Sequence, residues 1–327
     1  MAMKKVAILG NCQSSPLLAL LSAMCPNVNF FAPPAVHRIN EHEVADLLSS
    51  LGSFDTVITQ QIASGYRSNI GIDTDSIRSR MRPDQQLVLI PNLHFEGFFP
   101  TWGYMQYKDG GLRGKVALQR PPDRAYLGII GSLQRSDYQC FLLLCAWFEG
   151  LTVSQVAALL ETSFDSELVR SWYAKSVAEF AGREKTCHTH MTPVLQNISE
   201  HPEYRFYSFN HPNKALLTTL ALQVLDVLRG GTQGEDTCIL ASRVAHLSDR
   251  LDRVTLPIYP FVSFSLGMKK NEGKNLKIFD SVFSIPELVE NYYEYFNCLG
   301  KDGLAVNISH PKFKFSQKLI EASGQSA

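Results

Sequence analysis

The stretch Lys4–Leu21, KKVAILGNCQSSPLLALL, decides how the rest of the chain is read. Val6–Leu9 is short and apolar without a break, the pattern of a strand buried on both faces of a parallel sheet. It runs into Gly10-Asn11-Cys12-Gln13 and then into an apolar helix over Ser14–Met24, with Pro16 tolerated in the first turn. A strand, a turn and a helix therefore open the chain. A plain turn would more often use Asp, Ser or Pro, whereas this one carries a thiol and two carboxamides.

Working outward, the same grammar repeats. Val28–Phe31 predicts a second strand, and Asn40–Leu51 a helix capped by Asn40 with Val44, Leu47, Leu48 and Leu51 on one face. Asp55–Thr59 predicts a third strand followed by Gln60-Gln61. A helix around Asp73–Met81 leads to a fourth strand, Gln86–Ile90, ending in Pro91-Asn92. Short apolar strands separated by helices imply a parallel sheet covered on both faces, so the expected class is α/β. Residues 101–125 are rich in Gly, Pro and aromatics and predict a long loop. Helices are expected over Tyr138–Phe148, Val153–Leu160 with Thr152 as cap, and Asp165–Phe180. The segment LTVSQVAALL has the look of a first helix-turn-helix element, but no basic recognition helix follows it. A strand over Arg205–Phe209 then meets Asn210-His211-Pro212-Asn213 and an apolar helix, Lys214–Leu228. The C-terminal third reads as irregular apart from a helix over Pro286–Phe296. The expected division is an α/β subdomain over residues 1–125 and a helical, loop-rich part over 126–327 that completes a single cradle-like fold.

Composition narrows the function classes. Of 327 residues, 45% are hydrophobic and 19% charged, and Lys plus Arg equals Asp plus Glu at 31 each. No global field draws the chain to nucleic acid or to an anionic membrane. The 7 cysteines are odd in number and lack CxxC spacing, which argues against a disulfide framework or a zinc knuckle. The apolar run at the N-terminus is too short for a signal peptide, and no stretch is long enough for a transmembrane helix. A reduced, cytoplasmic, soluble protein is expected.

In open α/β sheets, ligands bind beyond the carboxyl ends of the strands. The residues just past those ends are Asn11, Cys12 and Gln13; Gln60 and Gln61; Asn92 and His94; and Asn210, His211 and Asn213. Cys12 faces the positive end of a helix, which favours thiolate. Two readings stay open for it: a nucleophile or thioester contact, and a small residue packed beneath the turn. His94 and His211 each read as a general base or as a loop-capping imidazole, with His211 better placed ahead of Pro212 and a helix start. Gly10-Asn11-Cys12-Gln13-Ser14 and the Asn213 turn are helix N-termini and hence anion sites, with Arg67, Lys108, Arg113 or Lys115 as side-chain partners. His188 and His190 in CHTHMT lack a third ligand nearby, so no metal is expected. Neither GxGxxG nor GxxxxGK[ST] occurs.

GNCQS after the first strand, PNLHFEGFFP (Pro91–Pro100) and FNHPN (Phe209–Asn213) together resemble the WcbI-type capsular polysaccharide biosynthesis proteins. The resemblance covers most of the chain and implies a bacterial acetyltransferase that binds coenzyme A or acetyl-CoA and decorates a capsule sugar. Under it, Cys12, His211 and His94 are the catalytic candidates. Gly10, Asn11, Gln13, Ser14, Gln60, Asn92, Arg67, Asn210 and Asn213 are the coenzyme-binding ones. The implied partners are a sugar or polysaccharide acceptor and other capsule-biosynthesis enzymes, met in the cytoplasm or at the inner face of the inner membrane. A more distant similarity is to SGNH-type hydrolases, so the first subdomain is expected to be SGNH- or flavodoxin-like. There Ser is replaced by Cys12, and Ser208 stands where an Asp three residues before His211 would complete a relay. Two alternatives accompany acetyl transfer: a Cys/His carbohydrate esterase, and a non-catalytic coenzyme- or glycan-binding accessory protein.

Overall fold

The structure is a computed structural model that describes residues 3–66, 71–106, 138–197, 200–201, 203, 205–230, 235–268, 275–279 and 281–324. Its elements begin β1 (Lys4–Leu9), α1 (Ser14–Met24), β2 (Val28–Phe31), α2 (Glu41–Ser50), β3 (Thr56–Gln60), α3 (Thr74–Ser79) and β4 (Gln86–Ile90). There follow β5 (Trp102–Gly103), β6 (Gln139–Cys140), α4 (Phe141–Phe148), α5 (Val153–Glu161), α6 (Glu167–Glu184) and α7 (Thr192–Gln196). After them come β7 (Phe206–Ser208), β8 (His211–Pro212), α8 (Lys214–Arg229), α9 (Thr237–Val244), β9 (Val254–Thr255) and α10 (Pro260–Ser265). The chain closes with β10 (Leu276–Ile278), β11 (Ser281–Phe283), α11 (Ile285–Leu304) and α12 (Pro311–Ala322). No described helix is long and apolar enough to cross a membrane. The chain forms two compact units, one from residues 1–94, 177–206 and 211–251, the other from 95–176, 207–210 and 252–327. The division expected near residue 125 lies outside the described residues.

The first unit is the expected α/β body. Its sheet has the order β2-β1-β3-β4, and each neighbouring pair is parallel. Alternation along the strands sorts side chains to two faces. Ala7, Leu9 and Val57 pack with Val44 and Leu48 of α2 and Ile77 of α3. Ile8 and Ile90 belong to the opposite face, where they meet Leu17 of α1 and Leu217 and Leu220 of α8. Asn40 caps α2 through a reciprocal box with Glu43, as its position before the apolar run predicts. His188 pairs with the outer edge of β4. His188 donates its N–H to Leu89 O at 2.7 Å, and its Nδ1 accepts from Leu89 N–H at 2.9 Å. His188 thus stands in for a neighbouring strand. No metal-holding cluster of His, Cys, Asp or Glu occurs among the described residues.

The second unit is mainly helical. Phe141–Ala146 of α4 are all buried, which explains why CFLLLCAWF is apolar on every side. Trp102 stacks on Tyr259 and meets Tyr292 edge-on, while β9, β10 and β11 form a small antiparallel sheet. The C-terminal third is more regular than its sequence suggests. The helix expected over Pro286–Phe296 continues to Leu304, with a break at Gly300, whose φ of 70° suits glycine. α12 follows with His310 as its cap, and it buries Lys312, Phe313, Phe315, Ser316, Leu319 and Ile320 on one stripe. Two lysines inside that stripe's neighbourhood mask its apolar period in the sequence.

Candidate functional site

Register brings three strand ends to one edge: Leu9 pairs with Thr59, Thr59 with Leu89, and Gln60 with Ile90. From β1 the chain passes outward to β2, whereas β3 is followed by β4 on the other side. The gap between β1 and β3 is therefore the topological switch point of the sheet, where such folds bind ligands. The GNCQ turn leaves β1 there, Gln60 ends β3 beside it, and Pro91-Asn92-Leu93-His94 leaves β4. Gln60 was expected in the loop; the strand runs one residue further and includes it.

The amides at this edge hold one another. Asn11 N–H donates to Gln60 Oε1 at 2.8 Å, and Gln13 N–H to Asn11 Oδ1 at 2.9 Å. Gln60 Nε2 donates to Gln13 Oε1 at 2.8 Å, which also accepts Leu93 N–H at 3.1 Å. Gln13 Nε2 donates to Leu93 O at 3.0 Å, and Asn11 Nδ2 to Asn92 Oδ1 at 3.0 Å. Gln13 and Gln60 are 2% and 6% exposed. Their side chains are buried and engaged with one another and with the Leu93 main chain. Ser14 is likewise buried, with Oγ donating to Asn11 O at 2.8 Å. Gly10 is required by the packing: a Cβ there would lie 2.7 Å from Gln60 Oε1. Leu93, whose backbone closes the network, carried no signal in the sequence, because a main-chain donor has no residue type.

Cys12 departs from the thiolate expected at a helix start. Burial pushes its pKa up to about 11, against smaller lowering effects of its own backbone N–H and of Arg38. The desolvation of a charged sulfur outweighs the helix dipole here. Alkylation of Cys12 by iodoacetamide should therefore be slow at pH 7 and rise about tenfold per pH unit toward pH 11. Mass spectrometry of the labelled peptide reads this out; fast labelling that levels off near pH 7 would contradict it.

The two candidate histidines differ in setting. His94 is tied into its loop, with N–H donating to Asn92 O at 2.8 Å, O accepting from Arg183 Nη2, and side-chain Nε2 shielded from solvent. His211 opens β8 and has the other nitrogen, Nδ1, shielded. Asn213 is a helix cap: its Oδ1 accepts Leu216 N–H at 3.1 Å, its Nδ2 donates to Glu203 O at 2.7 Å, and its N–H to Arg205 O at 2.9 Å. The anion position at the start of α8 is filled by the chain itself, since Lys214 N–H donates to Asp249 Oδ2 at 2.7 Å. Asn213 thus serves as a helix cap, with its side chain engaged on the chain's own main chain. Asn210 belongs to the second unit, where Oδ1 accepts from Tyr138 OH at 2.5 Å and Ser208 Oγ at 2.9 Å, and Nδ2 donates to Tyr104 OH at 3.3 Å. Arg67, Lys108, Arg113 and Lys115 lie outside the described residues. The first unit therefore brings Gly10, Asn11, Cys12, Gln13, Ser14, Gln60 and Asn92 together at one strand edge, with His94 two residues beyond Asn92.

A family model described as polysaccharide biosynthesis enzyme WcbI matches residues 5–230. Comparison with curated proteins gives no match. Among solved structures, the chain is similar to one of WcbI, described as a novel polysaccharide biosynthesis enzyme and as native protein without a disulfide bond between coenzyme A and one of its cysteines. The two share 17% identity over 97% of this chain and 98% of that one, with a TM-score of 0.66. At that identity the likeness is one of fold.

Proposed function

Because this chain belongs to the WcbI family of polysaccharide biosynthesis enzymes, we propose that it moves an acetyl group from acetyl-CoA to a sugar hydroxyl of a capsular or exopolysaccharide. The observation that supports this most is the company Cys12 keeps: an uncharged thiol beside an amide network at the sheet's switch point. A neutral thiol suits a site that receives another thiol's ester better than it suits a nucleophile. The structural neighbour's description, which mentions coenzyme A together with a cysteine, points the same way.

Bound at this edge, the coenzyme would supply the acyl group as an activated thioester. His211 is the base in this reading. Its Nε2 would take the proton of the acceptor hydroxyl as that oxygen bonds to the carbonyl carbon, and would return it to the departing sulfur. Asn92 Nδ2 and the Cys12 backbone N–H donate to the carbonyl oxygen as charge gathers on it. Asn11 and Gln13, whose side-chain groups are engaged within the network, act through Asn92 rather than on the substrate. Transfer is direct, without an acetyl-Cys12 stage. The absence of a carboxylate three residues before His211, where Ser208 stands, disfavours an SGNH-type hydrolase. The acceptor is a sugar or growing polysaccharide, and other capsule-biosynthesis enzymes at the cytoplasmic side are the expected partners.

Thermal unfolding tests the coenzyme half of this reading. Coenzyme A at about 100 times its dissociation constant should stabilise the native protein by about 2.7 kcal/mol and raise its melting temperature. An unchanged melting temperature at millimolar coenzyme would sink the proposal. Transfer of labelled acetyl to a panel of sugars then separates an enzyme from a non-catalytic accessory protein.

A further inference from the structure

The start of α12 is fastened to residues 96–106 on either side of one imidazole. Asn307, 2% exposed, accepts Gln106 N–H at 2.9 Å and donates Nδ2 to Gln106 O at 2.8 Å. Lys312 Nζ donates to Phe99 O at 3.2 Å and to Trp102 O, and pairs with Glu96 at 2.9 Å. Between them stands His310, whose ring stacks on Phe141 with centroids 4.2 Å apart and planes 16° from parallel. Phe141 N–H in turn donates to Thr101 O at 2.7 Å. The fit is close at Gly103, where a Cβ would meet Lys312 Cδ and the Phe141 ring at 3.1 Å. Pro311 opens α12 and has no N–H, so Lys312 N–H is the first donor that needs a partner. It finds His310 Nδ1 at 3.1 Å. A main-chain N–H only donates, so Nδ1 carries a lone pair and the neutral ring holds its proton on Nε2. In the charged ring both nitrogens are donors and neither accepts. The cap and the charged form exclude each other.

We propose that His310 is an acid-release latch: its protonation uncaps α12 and loosens the hold of that helix on residues 96–106. The charged ring is opposed from several sides. Burial against Phe141 lowers its pKa, the Lys312 ammonium lowers it further, and Glu96 acts in the opposite sense. Lys312 and Glu96 are the charged groups that act on the ring among the described residues, while α4 offers it only the Phe141 ring. Glu96 already holds Lys312 Nζ, so an imidazolium would compete with an ammonium for one carboxylate. The positive end of the α12 dipole faces the same ring. Because folding lowers the pKa, the unfolded chain takes up the proton first. The stability that the cap contributes is therefore complete above the ordinary histidine value and is lost as pH falls below it. Asn or Ser caps a helix at any pH, whereas His310 caps α12 only while neutral. The device lies apart from acetyl transfer, and its test needs no substrate.

His310→Asn is the discriminating variant, since Asn supplies a cap that takes up no proton. Urea midpoints of the full chain are measured for the natural protein and the variant between about pH 8 and pH 5. Loss of the Phe141 stack lowers the variant's midpoint at every pH, so the slopes are compared rather than the midpoints. The natural protein should lose stability more steeply on acidification, by up to about tenfold in the folding equilibrium per pH unit. Hydrogen exchange of residues 96–106, corrected for its intrinsic pH dependence, should speed up over the same range in the natural protein and not in the variant. Parallel slopes overturn the proposal, and so does exchange that changes equally in both proteins or in neither. Should His310→Asn fail to fold, nitrogen-15 spectra of the natural protein labelled at histidine decide the matter. His310 Nδ1 should then stay unprotonated to a lower pH than a free histidine does. Protonation at or above the pH of a free histidine overturns the latch.

Discussion

Lys312→Met is expected to lower the stability of the unit that contains it by about 3 kcal/mol, the largest effect of a single substitution outside the candidate site. Lys312 is 4% exposed, yet it carries an ammonium. Nζ lies 2.9 Å from Glu96 Oε2, donates to Phe99 O at 3.2 Å and to Trp102 O, and sits over the rings of Trp172 and Phe209. Methionine replaces the aliphatic stem but leaves two carbonyls without their donor. Glu96 is partly exposed and regains some water, which keeps the loss below that of a fully buried broken pair. Lys314, two residues on and exposed, is the matched control, and its change to Met should stay within about 0.5 kcal/mol. Urea unfolding curves of the two variants decide the matter. Equal midpoints would show that Lys312 is an ordinary surface lysine whose head group the solvent already serves.

His211→Ala is expected to lower the rate of acetyl transfer by roughly 10²- to 10⁴-fold while leaving stabilisation by coenzyme A in place. The expectation follows from the role proposed for His211, which opens β8 just past a strand end. His94 is fastened through its own main chain, with N–H donating to Asn92 O and O accepting from Arg183 Nη2. His94→Ala should therefore cost less than about a tenth of the effect of His211→Ala on kcat. Steady-state transfer of labelled acetyl to a sugar panel measures both. If His94→Ala proves the more damaging, the base has been placed on the wrong residue. If neither changes the rate, no histidine takes the proton.

Much of the first unit was legible because its signals are local. Val6–Leu9 is a short apolar run buried throughout, and Val88–Ile90 of β4 is likewise buried. Asn40 and Asn213 announce helix starts through side chains that act within three residues of their own backbone. The gathering of Asn11, Cys12, Gln13, Gln60 and Asn92 at one edge also followed from strand ends alone, since parallel strands place all their carboxyl ends together. α12 was less visible, as Lys312 and Lys314 interrupt its apolar stripe and only the fold shows that one of them is buried.

The roles within the site were not legible, and the reason is physical. Sequence places a residue on an element; it does not say which of two chemically opposite ends a side chain presents, nor how much water the fold removes. The helix dipole at Cys12 could be read from the GNCQ turn, but the desolvation that outweighs it comes from packing of distant segments. Gln60 could be placed at a strand end, but that its oxygen is held by Asn11 and its nitrogen by Gln13 follows only from the register of β1 against β3. The anion site at α8 could be predicted from its cap, whereas Asp249, which fills it, arrives from 35 residues away. By itself, the sequence determined an α/β sheet, its strand edge and the residue types gathered there. The tertiary structure alone decided which of those residues are buried and hold one another, because that choice is made by backbone donors and buried surface contributed from elsewhere in the chain.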